Sequence, residues 1–69
     1  HLALIYQALG VACIGLSEWD EGCDYFSQAA RLFQKTGSAD GVEKILAMAR
    51  EVDKKRGKTF EEKILAHLQ

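Results

Sequence analysis

Tyr6-x-x-Leu9-Gly10-x-x-Cys13, followed by Gly22-x-x-x-Phe26-x-x-Ala29, alternates bulky and small residues at helical spacing. Tyr6 and Leu9 are large, while Gly10 presents almost no side chain, so a second helix can approach closely at that point. Phe26 has the size to fill part of the space so created. Gly22, Ala29 and Ala30 are the small positions of the second segment and let it pack on two neighbours at once. The stretch predicts two helices nested against each other, and the rest of the chain is read outward from that contact.

Leu2, Ile5, Leu9, Ala12, Cys13 and Leu16 recur at three- and four-residue steps and predict a helix from about residue 2 to 15 with that face toward the core. Gly15-Leu16-Ser17-Glu18 is a turn, after which Ser17 or Glu18 begins a second helix, with Ser17, Asp20 and Glu21 supplying an N-cap and first-turn acids. Its apolar stripe is Trp19, Cys23, Phe26, Ala29, Ala30 and Phe33, and it ends before Thr36-Gly37-Ser38, where Gly37 suits a C-cap. A third helix starts near Ser38 to Asp40 and carries Val42, Ile45, Leu46, Ala49 and Val52 inward, with Met48 toward another face. The cations Lys54-Lys55-Arg56 before Gly57 suit its C-terminus. Thr59, with Glu62 three residues on, forms a capping box for a fourth helix bearing Phe60, Ile64, Leu65 and Leu68.

A weaker second unit follows the first. Gly57 laid on Ser17, 40 residues apart, brings Leu46 onto Tyr6, Ala49 onto Leu9, Val52 onto Ala12, Glu61 onto Glu21 and Ile64 onto Asp24. The match is one of helical phase and turn position more than identity.

The first stretch resembles the tetratricopeptide repeat (TPR), a helix-turn-helix unit of about 34 residues with the signature W-x2-L-G-x2-Y, then A-x3-F. It departs from that signature in having Tyr6 for the Trp, Cys13 for the Tyr and Gly22 for the Ala, and it lacks the closing Pro. Ser17-Glu18-Trp19-Asp20-Glu21 is similar to the turn segment of such a repeat, with Trp19 packing at the helix junction. Signature covers residues 3 to 35, and phase alone covers 38 to 68. The long spacing resembles extended TPR variants. HEAT and armadillo repeats also run to about 40–47 residues, and the signature of the first unit is what favours TPR over them.

The resemblance implies an all-α fold of two antiparallel helix pairs, four helices in all, stacked as a short α-solenoid. This makes one domain over residues 1–69, with repeat one at about 2–36 and repeat two at about 38–69. It also implies a protein-interaction module, a scaffold or adaptor whose first helices line a groove for a peptide or helix of a partner protein. The groove-facing residues expected are Gln7, Val11 and Ile14 on the first helix, with Glu43, Ala47, Arg50, Glu51 and Lys54 on the third. Repeats that grip the carboxylate of chaperone tails carry Asn where this chain has Val11 and Glu51, so that clamp is not expected. Because stacked repeats need about three units to bury a continuous core, self-association or docking through the terminal helices is expected, as a homo-oligomer or within a longer repeat protein.

Bulk composition narrows the field. With 69 residues, 48% hydrophobic and no Pro, the chain is one small helical domain with a modest core. A formal charge of −1 with mixed signs gives no field to draw it onto nucleic acid or an anionic membrane. The apolar run from Leu2 to Leu16 is shorter than the roughly 20 residues of a membrane span and is read as a core helix. The N-terminus has no basic segment or cleavage site of a secretory signal, and the missing initiator Met reads as a piece of a longer or processed protein. Cys13 and Cys23 are too few for a disulfide framework, so a reduced, cytoplasmic setting is expected. Two buried thiols or a single bridge between them both fit the spacing.

His1 and His67 stand at opposite ends, and no Cys-x-x-Cys, no nucleophile with a base and no phosphate-cradling Gly-rich loop is present. No metal, cofactor or catalytic site is expected, and the chain does not read as an enzyme. The rival reading is a small helical regulatory or nucleic-acid-binding bundle that uses Lys54, Lys55, Arg56 and Lys58. Asp53, Glu61 and Glu62 dilute that cluster, and the segment Val42 to Lys54 carries as many acids as bases.

Overall fold

The computed structural model describes residues 2–56 and 60–68, and among them the chain is all helix apart from its two turns. The helices are α1 (Leu2–Gly15), α2 (Trp19–Lys35), α3 (Ala39–Arg56) and α4 (Phe60–Leu68). All four lie where the periodicity places them. Gly57, Lys58 and Thr59, which carry part of the offset match and the expected capping box, lie outside the described residues.

The two turns at the ends of α1 and α2 are built alike. Glu18 N–H donates to the Cys13 carbonyl at 2.8 Å and Ser17 N–H to that of Ile14 at 3.0 Å, the paired bonds of a Schellman closure. At the second turn, Ser38 N–H donates to the Phe33 carbonyl at 2.8 Å and Gly37 N–H to that of Gln34 at 3.1 Å. Each turn needs one left-handed residue, Ser17 at φ 62° and Gly37 at φ 76°. Gly37 takes that geometry without cost, whereas Ser17 bears a Cβ that disfavours it. This corrects the N-cap assigned to Ser17. It closes α1 instead, and the residue before α2 is Glu18, whose side chain makes no cap hydrogen bond. Ser17→Gly is therefore expected to stabilise the fold by about 0.5–1 kcal/mol, read as a higher midpoint in urea. An unchanged or lowered midpoint would contradict it.

Helix α2 is the hub, packing on α1 along one side and on α3 and α4 along the other. The buried cluster joins Cys23, Phe26, Ala29 and Ala30 of α2 to Ile45, Ala49 and Val52 of α3 and to Phe60 and Ile64 of α4. Phe26 meets Phe60 edge-to-face, with ring centroids 6.1 Å apart. Met48, placed on another face by the periodicity, is half-buried against this cluster, as are Trp19, Phe33 and Leu46. Ser27 is also buried, one turn after the Cys23 thiol.

The packing of α1 reverses the expectation. Leu2, Ile5, Leu9 and Leu16, assigned to the core, are 62%, 53%, 40% and 72% exposed, and the side facing α2 carries Ala3 and Gly10. Close approach explains the choice. A Cβ on Gly10 would lie 2.6 Å from Phe26 Cδ1, and one on Gly22 would lie 2.9 Å from Ile14 Cγ1. Only the small-residue side of α1 can come so near, so the leucines turn outward. Beyond α2, α1 touches α3 and α4 marginally at most.

Candidate partner-binding surface

The expected groove residues divide between two environments. Val11 is 49% exposed on α1. Gln7 is half-buried on the helical line of Ala3 and Gly10, and Ile14 is half-buried over Gly22. Ile14 thus belongs to the seam between α1 and α2 and not to an open groove, because Gly22 leaves a recess that its branched side chain fills.

On α3 the expected residues do gather. Glu43, Ala47 and Arg50 line one open depression with Asp40, Lys44 and Leu46, all residues of α3. Its charges are of both signs. Arg50 reaches across to α4, where its Nε donates to Glu61 Oε2 at 2.5 Å, while Glu51 and Lys54 pair at 3.7 Å along the helix. Such exposed pairs contribute at most about 1 kcal/mol each, but the first fixes the guanidinium at one rim of the depression.

A second tie holds α4 in place. Asp53 Oδ1 accepts from Phe60 N–H at 2.7 Å and Oδ2 from Glu61 N–H at 3.2 Å. A side chain of α3 thereby satisfies free amides at the start of α4, where a carboxylate also suits the helix dipole. Donor and acceptor stand seven or eight residues apart, which matches no local capping pattern, so only the tertiary structure reveals the bond. Asp53→Ala is expected to cost about 1–2 kcal/mol in a urea titration, and Asp53→Asn less, since one amide oxygen still accepts. Equal losses for the two variants would argue against the cap.

Cys13 and Cys23 are both free thiols, half-buried and buried respectively. Burial pushes both thiols above their usual value of 9.0, with Glu18 and Glu21 adding to the rise at Cys13 and Lys63 opposing it at Cys23. Folding thus favours the protonated forms, so stability should be complete below pH 9.0 and decline as pH rises beyond it. Alkylation monitored by mass should run slower than for an unfolded chain, with Cys13 reacting before Cys23. Faster alkylation in the folded state would contradict the shifts.

The feature that periodicity failed to place is the outer side of α1. No residue of this helix is charged, and the solvent side of α1 and its closing turn shows Leu2, Leu4, Ile5, Leu9, Val11 and Leu16. The absence of charge was legible, and an all-round apolar helix normally has cover on every side. Among the described residues no helix is long and apolar enough to cross a membrane, and no group of three or more His, Cys, Asp or Glu could hold a metal ion. No protein-family model, curated protein or solved structure matches the chain.

Proposed function

We propose that this chain is a protein-interaction module of the TPR type, a scaffold or adaptor that holds a helix of a partner, either another protein or a second copy of itself, in a reducing, cytoplasmic setting. The observation that carries the reading is the outer side of α1, where large apolar side chains stand in solvent on a helix with no charge to keep it there. The nesting of Phe26 over Gly10 and of Ile14 over Gly22 supports the repeat-like hairpin beneath that surface. The depression of Glu43, Ala47 and Arg50 on α3 offers a second, polar contact whose rim is held by Glu61.

The test is affinity capture with the wild-type chain and with Gly10→Leu, followed by binding of the purified captured protein. The module reading expects a saturable partner that the variant loses as its first hairpin is pried apart. Retention of the same proteins by both chains, or no saturable binding by either, would overturn it.

A further inference from the structure

We infer that α1 is the seam of a two-fold dimer of this chain, packed antiparallel on α1 of a second copy; the inference rests on the interaction-module reading and names its partner. Three observations converge on this occupant. The first is the layout of the solvent half of α1. Ala8, Ala12 and Gly15 run down its middle, with Leu4 and Val11 along one flank and Ile5, Leu9 and Leu16 along the other. A second helix can settle closely on such a small-residue line, as α2 settles on the Gly10 side of the same helix.

The second observation is charge. Helix α1 has no acid in its first turn, no base in its last and none between. A surface without charge offers a foreign partner nothing to recognise electrostatically, and it costs a second copy nothing in repulsion. Antiparallel packing also sets the two helix dipoles head to tail. The third is area. Exposures of 40–72% over the five large residues of the seam leave on the order of 500 Å² of apolar surface per copy. Two copies together would bury up to about 1,000 Å², the least that a specific interface needs.

The two-fold axis falls between Ala8 and Ala12. It sets Ala8 against Ala12 of the other copy, and the bulky Ile5 against Gly15, so each protomer's large residue meets the other's small one. Leu9 then meets its own counterpart along one flank, where Leu16 closes over Ile5 of the other copy, and Val11 meets its own along the other flank. Ala8 and Ala12 are exposed in the single chain, so substitutions there leave the monomer's core untouched.

Sedimentation equilibrium at concentrations rising to roughly 100 µM should show a particle of twice the chain's 7.7 kDa. Ala12→Glu and Ala8→Lys should each weaken association by at least about tenfold, with helical circular dichroism retained, because each leaves an unpaired charge in an apolar seam. An equimolar mixture of the two variants should regain the dimer, since the register sets position 8 of one copy against position 12 of the other and so brings the introduced cation onto the introduced acid. A monomeric wild-type chain, a dimer indifferent to both substitutions, or a mixture that stays monomeric would overturn the proposal. A monomer that binds a foreign helix and loses it on Ala12→Glu would overturn the dimer while leaving the interaction-module reading intact.

Discussion

Phe26→Ala is expected to abolish cooperative folding. The ring is 1% exposed, lies over Gly10 of α1, and meets Phe60 of α4 edge-on, so it touches both sides of the hub helix. Removing a buried Phe costs about 3–5 kcal/mol when the cavity cannot collapse. A chain of this size has about 3–5 kcal/mol of net stability in all. Circular dichroism in urea should show a shallow, non-cooperative loss of helix for this variant. Phe26→Leu, which keeps most of the volume, should retain a transition at a lower midpoint. A cooperative Phe26→Ala transition displaced by less than about 1 kcal/mol would show that the ring is not the common contact.

Gly10→Leu should be nearly as damaging, by the opposite route. A Cβ alone would stand 2.6 and 2.7 Å from Phe26 Cδ1 and Cε1, and the ring has no exposed side toward which to retreat. Overpacking costs about 1–3 kcal/mol or more, while replacing Gly inside a helix returns only about 1 kcal/mol through backbone entropy. The steric cost wins, and α1 must tilt away from α2. Gly15→Ala is the control in the same helix. Nothing in the chain lies within 4 Å of its would-be Cβ, so the entropic gain should appear there undiminished in dilute solution, where the chain is a monomer. If both substitutions moved the urea midpoint the same way, the close approach at Gly10 would not be limiting. Combining Gly10→Leu with Phe26→Leu should recover part of the loss, a coupling expected only of residues in contact.

Helix positions and turns were legible because the signals for them are local. Apolar steps of three and four residues, the Gly at position 37 and the polar break after Gly15 each act within one turn of chain. The nesting of Phe26 on Gly10 was legible for a related reason, since a Gly one helix away from a Phe is a strong size complement. The facing of α1 was not. On a helix apolar on every side, periodicity carries no preference, and the decision passes to steric closeness across the hairpin, where Ala3 and Gly10 prevail over the leucines. Ser17 misled for a different reason, because a Ser before Asp and Glu has the composition of an N-cap while its backbone takes the left-handed form that ends α1.

The candidate surface follows the same division. Glu43, Ala47 and Arg50 were found by asking which residues of α3 the core leaves unclaimed, and they share a depression. Ile14 was misplaced along with the rest of α1's facing. Asp53 was missed because its partners are amides on another helix, seven and eight residues away.

The slight contact of α1 with anything but α2 has a consequence for how the protein breathes. Its burial rests on Ala3, Gly10 and the half-buried Tyr6 and Ile14, whereas α2, α3 and α4 share one continuous apolar cluster. The first helix can swing off while the other three keep their contacts, a sub-global opening of lower free energy than complete unfolding. Amide protons of α1 would then trade with solvent on that faster clock, and those around Ile45 and Ile64 would wait for the whole chain to come apart.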